Sequence, residues 1–330
     1  RDGYVFAVKH LAGQEVEALL PGLLQDILTS LNFPKTMRWA DYDFRFVRPI
    51  RWMVALFGDD VIPVEITGVK SGKLSRGHRF LRPALVEEAK AIESLDDAKE
   101  LLEKAVSAVK NTVTSAINKT AGVVEIPCAE AYEQVLMDNF VMVDQDARRE
   151  LIRQQVIDLA VEEGGHAEID EDLLEEVNYL VEWPTALCGK FEDKFLALPK
   201  ECIITPMREH QRYFPVLKED GSLLNKFITV RNGGKEHLEV VAHGIERVLR
   251  ARLADAEFFF NEDRKQPLEA RLAKLCTVSF QEGLGNMNDK SQRLVKAADM
   301  IAFGLNSKVD KEKLARTALL CKTDLVTGMV

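Results

Sequence analysis

Basic and aromatic side chains alternate between residues 34 and 52, where the chain reads PKTMRW and then, after a short spacer, FVRPIRW. Arginine binds phosphate through two parallel hydrogen bonds and stacks on planar rings, and tryptophan offers a stacking face to a base. This combination predicts a surface that binds RNA. The alternative, from composition alone, is a strand edge whose arginines pair with the acidic block of the chain, residues 121–200.

A second basic segment, GKLSRGHRF, covers residues 72–80, and its glycines predict a tight turn or a close approach of the backbone. The letters GVKSGK at residues 68–73 are similar to a phosphate-binding loop. Only three residues separate the two glycines, however, and Leu74 follows the lysine where that loop needs serine or threonine. We therefore exclude an ATP site here and expect a basic loop.

A third motif at residues 205–215 contains His210, which has the chemistry of a general base. The sequence assigns it neither a nucleophile nor an orienting acid, and a lone histidine is more often structural. We therefore predict no catalytic residue and no metal ligand on this chain.

Residues 247–260 have apolar side chains at helical spacing and predict an amphipathic helix in which Arg250 and Asp255 are candidates for a polar site. The alternative is a core helix with solvated arginines.

The net charge of −9 argues against a nucleic-acid partner until its distribution is considered. Residues 33–82 carry ten Lys and Arg against five Asp and Glu, and residues 121–200 carry six against nineteen. Residues 201–330 carry twenty-one against eighteen. Because the acidic excess lies in a central block, local basic surface remains that can attract phosphate.

The five cysteines include no CxxC pair, which argues against a disulfide framework or a zinc ribbon and favours reduced, mostly buried thiols. No apolar run is long enough for a membrane span, and no signal peptide opens the sequence. We expect a cytoplasmic protein. Both ends look interrupted, so we also expect an internal part of a longer protein.

The apolar pattern predicts the elements that position these motifs. We expect helices over residues 15–31, 128–165 and 170–180. We expect strands over residues 50–57, 61–69, 185–187, 202–206 and 226–231. From residue 244 onward the pattern is almost entirely helical.

Seven segments together resemble the glycyl-tRNA synthetase beta subunit family. They read PKTMRW, FVRPIRW, GHRF, VEWPTALCGKFEDKFLALP, HQRYFPV, VLRARLADAEFFFNEDRK and FQEGLGNMNDKSQRL, and they follow the family's order. Two places depart from the family. Residues 243–246 read HGIE where the family usually has Gly-Asn-Glu, and the stretch 84–127 looks expanded.

The resemblance implies an α2β2 ligase that attaches glycine to tRNA(Gly), with ATP and magnesium bound by the alpha subunit. It implies an α+β region over residues 1–243, similar to the editing-type module of phenylalanyl-tRNA synthetase, in which 84–127 is a helical insertion. A helical, truncated HD-like region would follow over residues 244–330. In HD phosphohydrolases an adjacent His-Asp pair binds metal, and Thr323-Asp324 stands in that place here. Thr is a poor replacement for imidazole.

The implied partners are the alpha subunit and tRNA(Gly), with a second beta chain as a further candidate and no DNA or membrane. Ten basic residues are the predicted tRNA contacts: Lys35, Arg38, Arg48, Arg51, Arg76, Arg79, Arg208, Arg212, Arg250 and Arg252. The rival interpretations are a metal phosphohydrolase or editing hydrolase, and an assembly scaffold that does not bind RNA.

Overall fold

The computed structural model describes residues 13, 15–81, 122–306 and 308–330. The chain folds into two compact units, each built from separate segments of the sequence. Unit 1 comprises Arg1–Gln154, Leu174–Thr185 and Val230–Glu236. Unit 2 comprises Gln155–Leu173, Ala186–Thr229 and His237–Val330.

The described residues form mixed α and β structure, as the coarse α+β prediction requires. The α-helices are α1 (Val16–Ser30), α2 (Tyr132–Met137), α3 (Gln145–Glu162), α4 (Glu171–Leu180), α5 (Lys200–Thr205), α6 (Leu238–Arg264), α7 (Met287–Gly304) and α8 (Lys311–Leu320). The strands are β1 (Met53–Val54), β2 (Leu56–Phe57), β3 (Asp60–Val61), β4 (Glu65–Ile66), β5 (Val69–Gly72), β6 (Leu74–Arg76), β7 (Val123–Glu125), β8 (His166–Ala167), β9 (Pro184–Lys190), β10 (Phe214–Leu217), β11 (Leu223–Asn232), β12 (Ser279–Gln281) and β13 (Gly285–Asn286).

Short strands dominate unit 1. Strand β1 pairs in parallel with β5, and β5 pairs antiparallel with β4. The single strand predicted over residues 50–57 is wrong in detail, because it is split into β1 and β2. Strand β2 forms a hairpin with β3 across a turn at Gly58-Asp59. The predicted insertion over 84–127 lies outside the described residues except for 122–127, where β7 pairs with β6.

A four-stranded sheet in the order β8-β10-β11-β9 forms the β part of unit 2. Beside it lies a core cluster that includes Phe195, Ile203 and Phe227. Gly189 permits this packing, because a Cβ at that position would lie 2.5 Å from the Phe227 ring. The core of unit 2 therefore requires a glycine at the point where β9 packs against the Phe227 ring.

The strand predicted over residues 202–206 is wrong. Residues 200–205 form α5, which continues as a π-helical turn over Pro206–Gln211. Ile203 and Met207 are both buried, and their spacing of four residues places them on one helical face. The β-branched run that suggested a strand therefore lies in a helix that buries Ile203, a case that periodicity alone does not resolve over so short a length.

The predicted helix over residues 247–260 is confirmed as part of α6, which is 27 residues long. Leu249 and Leu253 are fully buried on its inner face, whereas Val248 is exposed. The predicted boundary between residues 243 and 244 lies inside this helix.

The prediction of an all-helical region from residue 244 is wrong at one place, where β12 and β13 form a hairpin. Gly283 and Gly285 provide the positive φ angles of 75° and 79° at the turn. Asn286 then accepts a hydrogen bond from the Asp289 backbone N–H, and the Asp289 carboxylate accepts one from the Asn286 N–H. This capping box fixes the start of α7.

A buried ion pair joins distant parts of unit 2. The Arg271 guanidinium lies 2.9 Å from the Asp263 carboxylate, and the two side chains are only 7% and 17% exposed. Arg271 also donates to the Val326 carbonyl oxygen at 3.3 Å. Asp263 accepts hydrogen bonds from the backbone N–H groups of Gly328 at 2.9 Å and Met329 at 3.0 Å. The pair therefore ties the end of α6 to the segment 326–329.

We expect Asp263→Ala to lower the free energy of unfolding by about 3 kcal/mol, because it leaves a guanidinium buried without its carboxylate and two backbone N–H groups unpaired. Urea unfolding followed by circular dichroism measures this loss. Glu262→Ala on the same helix removes an exposed ion pair with Lys265 and should cost at most about 0.5 kcal/mol. If the two variants lose the same free energy of unfolding, the stabilising role of the Arg271–Asp263 ion pair is wrong.

Candidate nucleic-acid interface

The two basic-aromatic segments of unit 1 are held together by backbone and ring contacts. Met37 and Phe46 exchange two backbone hydrogen bonds of 2.8 and 3.2 Å. The rings of Phe33 and Phe46 meet edge to face at 5.0 Å, and Phe44 stacks on Phe46 at 5.8 Å. These contacts fix the stretch that carries Lys35 and the first predicted arginines.

Some of the predicted contact residues pair with carboxylates of the protein itself. Arg38 pairs with Asp43 in unit 1, and Arg208 pairs with Asp170 in unit 2. In unit 2 the Arg250 Nε lies 2.5 Å from Glu192 Oε1. Asp170 and Glu192 belong to the central acidic block of residues 121–200, whereas Asp43, the partner of Arg38, does not.

Three other predicted residues, Lys35, Arg51 and Arg252, are exposed and have no side-chain partner within the described residues. Arg48 is also exposed and donates only to the Val47 carbonyl oxygen, at 3.1 Å. Because no carboxylate of the described chain neutralises these four groups, they keep their full attraction for a phosphate. Arg212 donates to the backbone oxygen of Glu209.

Two of the predicted arginines lie over aromatic rings in unit 1. The Arg76 guanidinium carbon is 5.3 Å from the centre of the Trp52 ring, and that of Arg79 is 5.5 Å from the centre of the Phe80 ring. Trp52 is 46% exposed and Phe80 is 77% exposed. A ring holds a guanidinium without neutralising its charge, and both rings keep an exposed surface for stacking.

The loop that carries Arg79 and Phe80 is fixed by the buried side chain of His78. Its Nδ1 accepts hydrogen bonds from the backbone N–H groups of Phe80 at 3.2 Å and Leu81 at 3.1 Å. The ring therefore carries its proton on Nε2, which donates to Asn232 Oδ1 at 3.0 Å. Gly77 lets the chain enter this loop, because a Cβ there would lie 2.9 Å from the Asn139 Cβ.

Asn232 is a positioning residue that sequence reasoning missed. Besides the His78 ring, its Oδ1 accepts hydrogen bonds from the backbone N–H groups of Glu182 at 2.9 Å and Trp183 at 3.0 Å. The sequence signal at this position was the Asn-Gly-Gly letters at 232–234, which predict a turn. The turn prediction did not reveal that the amide side chain joins three separate segments of unit 1.

His210, the candidate general base, is exposed and makes no side-chain hydrogen bond to any described residue. Nothing in that part of the chain orients its ring. Within the described ranges no group of three or more His, Cys, Asp or Glu side chains lies close enough to hold a metal ion.

The five cysteines are free thiols. The prediction that they are mostly buried is wrong, because Cys276 and Cys321 are exposed and the other three are half-buried. Burial raises the pKa of the Cys188 thiol to about 11, and the Glu163 carboxylate adds to the increase. Such a thiol is protonated at neutral pH and is a poor nucleophile.

In the part of the chain that the structure describes, no helix has both the length and the apolarity to cross a membrane.

Comparison with known proteins identifies the family. The family model described as glycyl-tRNA synthetase beta subunit matches residues 1–121 and 98–330, so the two matches together cover the chain. The chain belongs to the glycyl-tRNA synthetase beta subunit family.

Curated relatives agree with this family. The glycine–tRNA ligase beta subunit of Moorella thermoacetica is 46% identical over 328 residues, which is 99% of this chain. That of Bacillus subtilis is 43% identical over 328 residues, and that of Clostridioides difficile is 43% identical over 330 residues, or 100% of the chain. The chain spans 42% of the length of each of these three relatives.

The HGIE run at residues 243–246, which we noted from the sequence as a departure from the family pattern, lies inside α6. Its Glu246 carboxylate accepts a hydrogen bond from the Lys190 backbone N–H at 3.0 Å. The glutamate of this run therefore connects α6 to the end of β9. His243 and Gly244 precede it on the same helix.

We expect Asn232→Ala to destabilise unit 1 by about 2 kcal/mol, because it removes the acceptor of two backbone N–H groups and of the buried His78 ring. Thermal unfolding followed by circular dichroism measures the effect. Asn232→Asp retains an oxygen acceptor at the same position and should lose less than half as much. If the aspartate and alanine variants are equally destabilised, the acceptor role of Asn232 is wrong.

We expect iodoacetamide at pH 8 to alkylate the exposed Cys276 and Cys321 first and Cys188 last. With a pKa of about 11, roughly one Cys188 molecule in a thousand is a thiolate at pH 8. Raising the pH towards 11 should accelerate the reaction, because deprotonation generates the nucleophile. Mass spectrometry of the alkylated peptides follows each site, and urea-unfolded protein is the control. Reaction of Cys188 at the rate of Cys276 would refute the raised pKa.

Proposed function

We propose that this chain is a tRNA-binding, non-catalytic part of the beta subunit of a glycine–tRNA ligase, and that an alpha subunit performs the ATP chemistry. The observation that carries the proposal is the match to the family over the whole chain. The relatives are named as beta subunits of glycine–tRNA ligase, so an alpha subunit is the expected partner.

The sequence supports the division of labour between subunits. Formation of an aminoacyl adenylate requires arginine, lysine or metal at fixed positions to stabilise phosphate charge. The chain has no HIGH-like or KMSKS-like string and no class II pattern of a motif arginine followed by a glycine-rich strand that ends in arginine. Glycine activation, with its ATP and magnesium, is therefore assigned to the alpha subunit in this proposal.

The exposed cations support RNA as the ligand. In unit 1, Lys35, Arg48 and Arg51 lack carboxylate partners among the described residues, and Arg76 and Arg79 lie over exposed rings. In unit 2, Arg252 likewise lacks a carboxylate partner within the described ranges. Cations combined with stacking surfaces suit RNA better than a protein partner, because both the backbone and the bases of RNA have complementary chemistry.

We further propose that the C-terminal part is an HD-like scaffold without a metal and that the α+β part is related to the editing-type module of phenylalanyl-tRNA synthetase. The Thr323 side chain supports the loss of metal. It is fully buried, and its hydroxyl donates to the Leu320 carbonyl oxygen at 2.7 Å. The hydroxyl is thus hydrogen-bonded at the end of α8 and buried, so it is not accessible to a metal ion.

We expect the chain to bind tRNA(Gly) with an affinity that falls about tenfold or more between 50 and 200 mM salt, because each phosphate contact releases counterions. Filter binding over a salt series measures this slope. Arg252→Gln should reduce both the affinity and the slope, because the Arg252 guanidinium has no carboxylate partner among the described residues.

Arg250→Gln is the matched control on the same helix, because Glu192 already balances the Arg250 charge. We expect a smaller effect than that of Arg252→Gln. Three results would contradict the proposal: salt-independent binding or none at low salt, deacylation of mischarged tRNA by this chain, and glycine-dependent pyrophosphate exchange without the alpha subunit. Capture of the alpha subunit without any RNA binding would favour the scaffold interpretation.

A further inference from the structure

An open groove of about 370 Å³ lies on the surface of unit 1, beside the short strands β1, β5 and β6. Its lining residues are Arg51, Trp52, Met53, Gly68, Val69, Lys70, Gly72 and Leu74. The volume falls within the range of about 300–1,000 Å³ that is typical of small-molecule sites. The described residues thus provide space for one small ligand.

Cations and an aromatic ring surround this groove. Arg51 is exposed and has no side-chain partner among the described residues, and Lys70 forms only a long, exposed contact of 3.8 Å with Glu65. Trp52 contributes an exposed indole, and the Arg76 guanidinium lies over that ring. The groove therefore combines a stacking surface with two cations, those of Arg51 and Lys70, that remain available for an anion.

Glycines leave part of the groove wall without side chains. A Cβ at Gly72 would meet nothing within 4 Å, so this position opens onto free space. Gly68 has a φ of 75°, and a Cβ there would lie 2.9 Å from the Tyr42 hydroxyl. The Tyr42 hydroxyl therefore occupies the side of Gly68 that a side chain would fill, whereas at Gly72 a ligand can approach the backbone closely.

We infer that this groove binds a single unpaired nucleotide of an RNA chain, with its base against Trp52 and its phosphate between Arg51 and Lys70. The inference rests on the proposed function, because that function supplies RNA as the ligand. Unpaired bases can be splayed out and stacked on aromatic side chains, whereas bases within a duplex are already stacked on their neighbours. The groove consequently selects single-stranded RNA over duplex RNA.

Binding of a single-stranded uridine hexamer, of an RNA hairpin and of tRNA(Gly) to the 330-residue chain tests this inference. Trp52→Ala should weaken hexamer binding about tenfold or more, whereas Trp52→Phe keeps an aromatic face and should stay within about threefold of wild type. Phe57→Ala is the matched control, because Phe57 is about equally exposed and does not line the groove. Its effect should be less than about twofold.

Two further variants separate groove binding from loss of folding. Gly72→Val places a side chain that strands favour into open space, so it should obstruct the groove while leaving the unfolding midpoint unchanged. Arg51→Gln should weaken hexamer binding more than Arg45→Gln, whose guanidinium is exposed outside the groove. Hexamer binding should also quench tryptophan fluorescence in the wild type and not in Trp52→Phe.

The outcomes distinguish this inference from the proposed function. If wild type binds tRNA(Gly) but Trp52→Ala and Gly72→Val bind the hexamer normally, the groove assignment is overturned and the proposed function stands. Equal weakening of hairpin and hexamer binding would overturn the preference for an unpaired nucleotide. If the groove variants lose alpha-subunit binding but bind the hexamer normally, the groove is a protein interface instead. Absence of any RNA binding by wild type would overturn both proposals.

Discussion

Competition between carboxylates and phosphates for the same arginines is the constraint on which the proposed interface depends. The chain has 53 acidic and 44 basic residues, so an arginine close to its own carboxylates loses much of its attraction for RNA. Arg208 and Arg250 are in that position, with Asp170 and Glu192 as partners. Arg51 and Arg252 are not, within the described residues.

Aromatic rings solve part of this problem. A guanidinium over an indole or phenyl ring is held in place, yet the ring does not cancel its positive charge. Arg76 over Trp52 and Arg79 over Phe80 both have this arrangement in unit 1. Exposed ion pairs such as Arg38 with Asp43 contribute little to stability, so they neutralise charge without a comparable gain for the fold.

Rigid positioning of the exposed groups comes from a small number of hydrogen-bond acceptors. Asn232 Oδ1 accepts three hydrogen bonds, one of them from the His78 ring. That ring in turn accepts a hydrogen bond from the backbone of the loop that carries Phe80. A preorganised loop loses less conformational entropy on binding than a mobile one. In unit 2 the Arg271–Asp263 pair has a similar structural role for the segment 326–329.

Residue order along the chain was sufficient for the family and for the long elements. The motifs from PKTMRW to FQEGLGNMNDKSQRL are local strings, and helices such as α1 and α6 extend over enough turns for their periodicity to identify them. The same reasoning failed at α5, where a six-residue element is too short to distinguish a buried helix from a strand. Its type was decided by the packing of Ile203 and Met207.

The sequence by itself determined which side chains have the chemistry to contact RNA, but the tertiary structure decided which of them remain unpaired. Arg208 and Arg250 meet acids from distant parts of the chain, and Asn232 meets the ring of a histidine far before it. Sequence spacing carries no information about such contacts, because chain folding brings the partners together. Likewise, the groove at Trp52 forms because the pairing of β1 with β5 brings Arg51 and Trp52 close to Lys70 and Gly72.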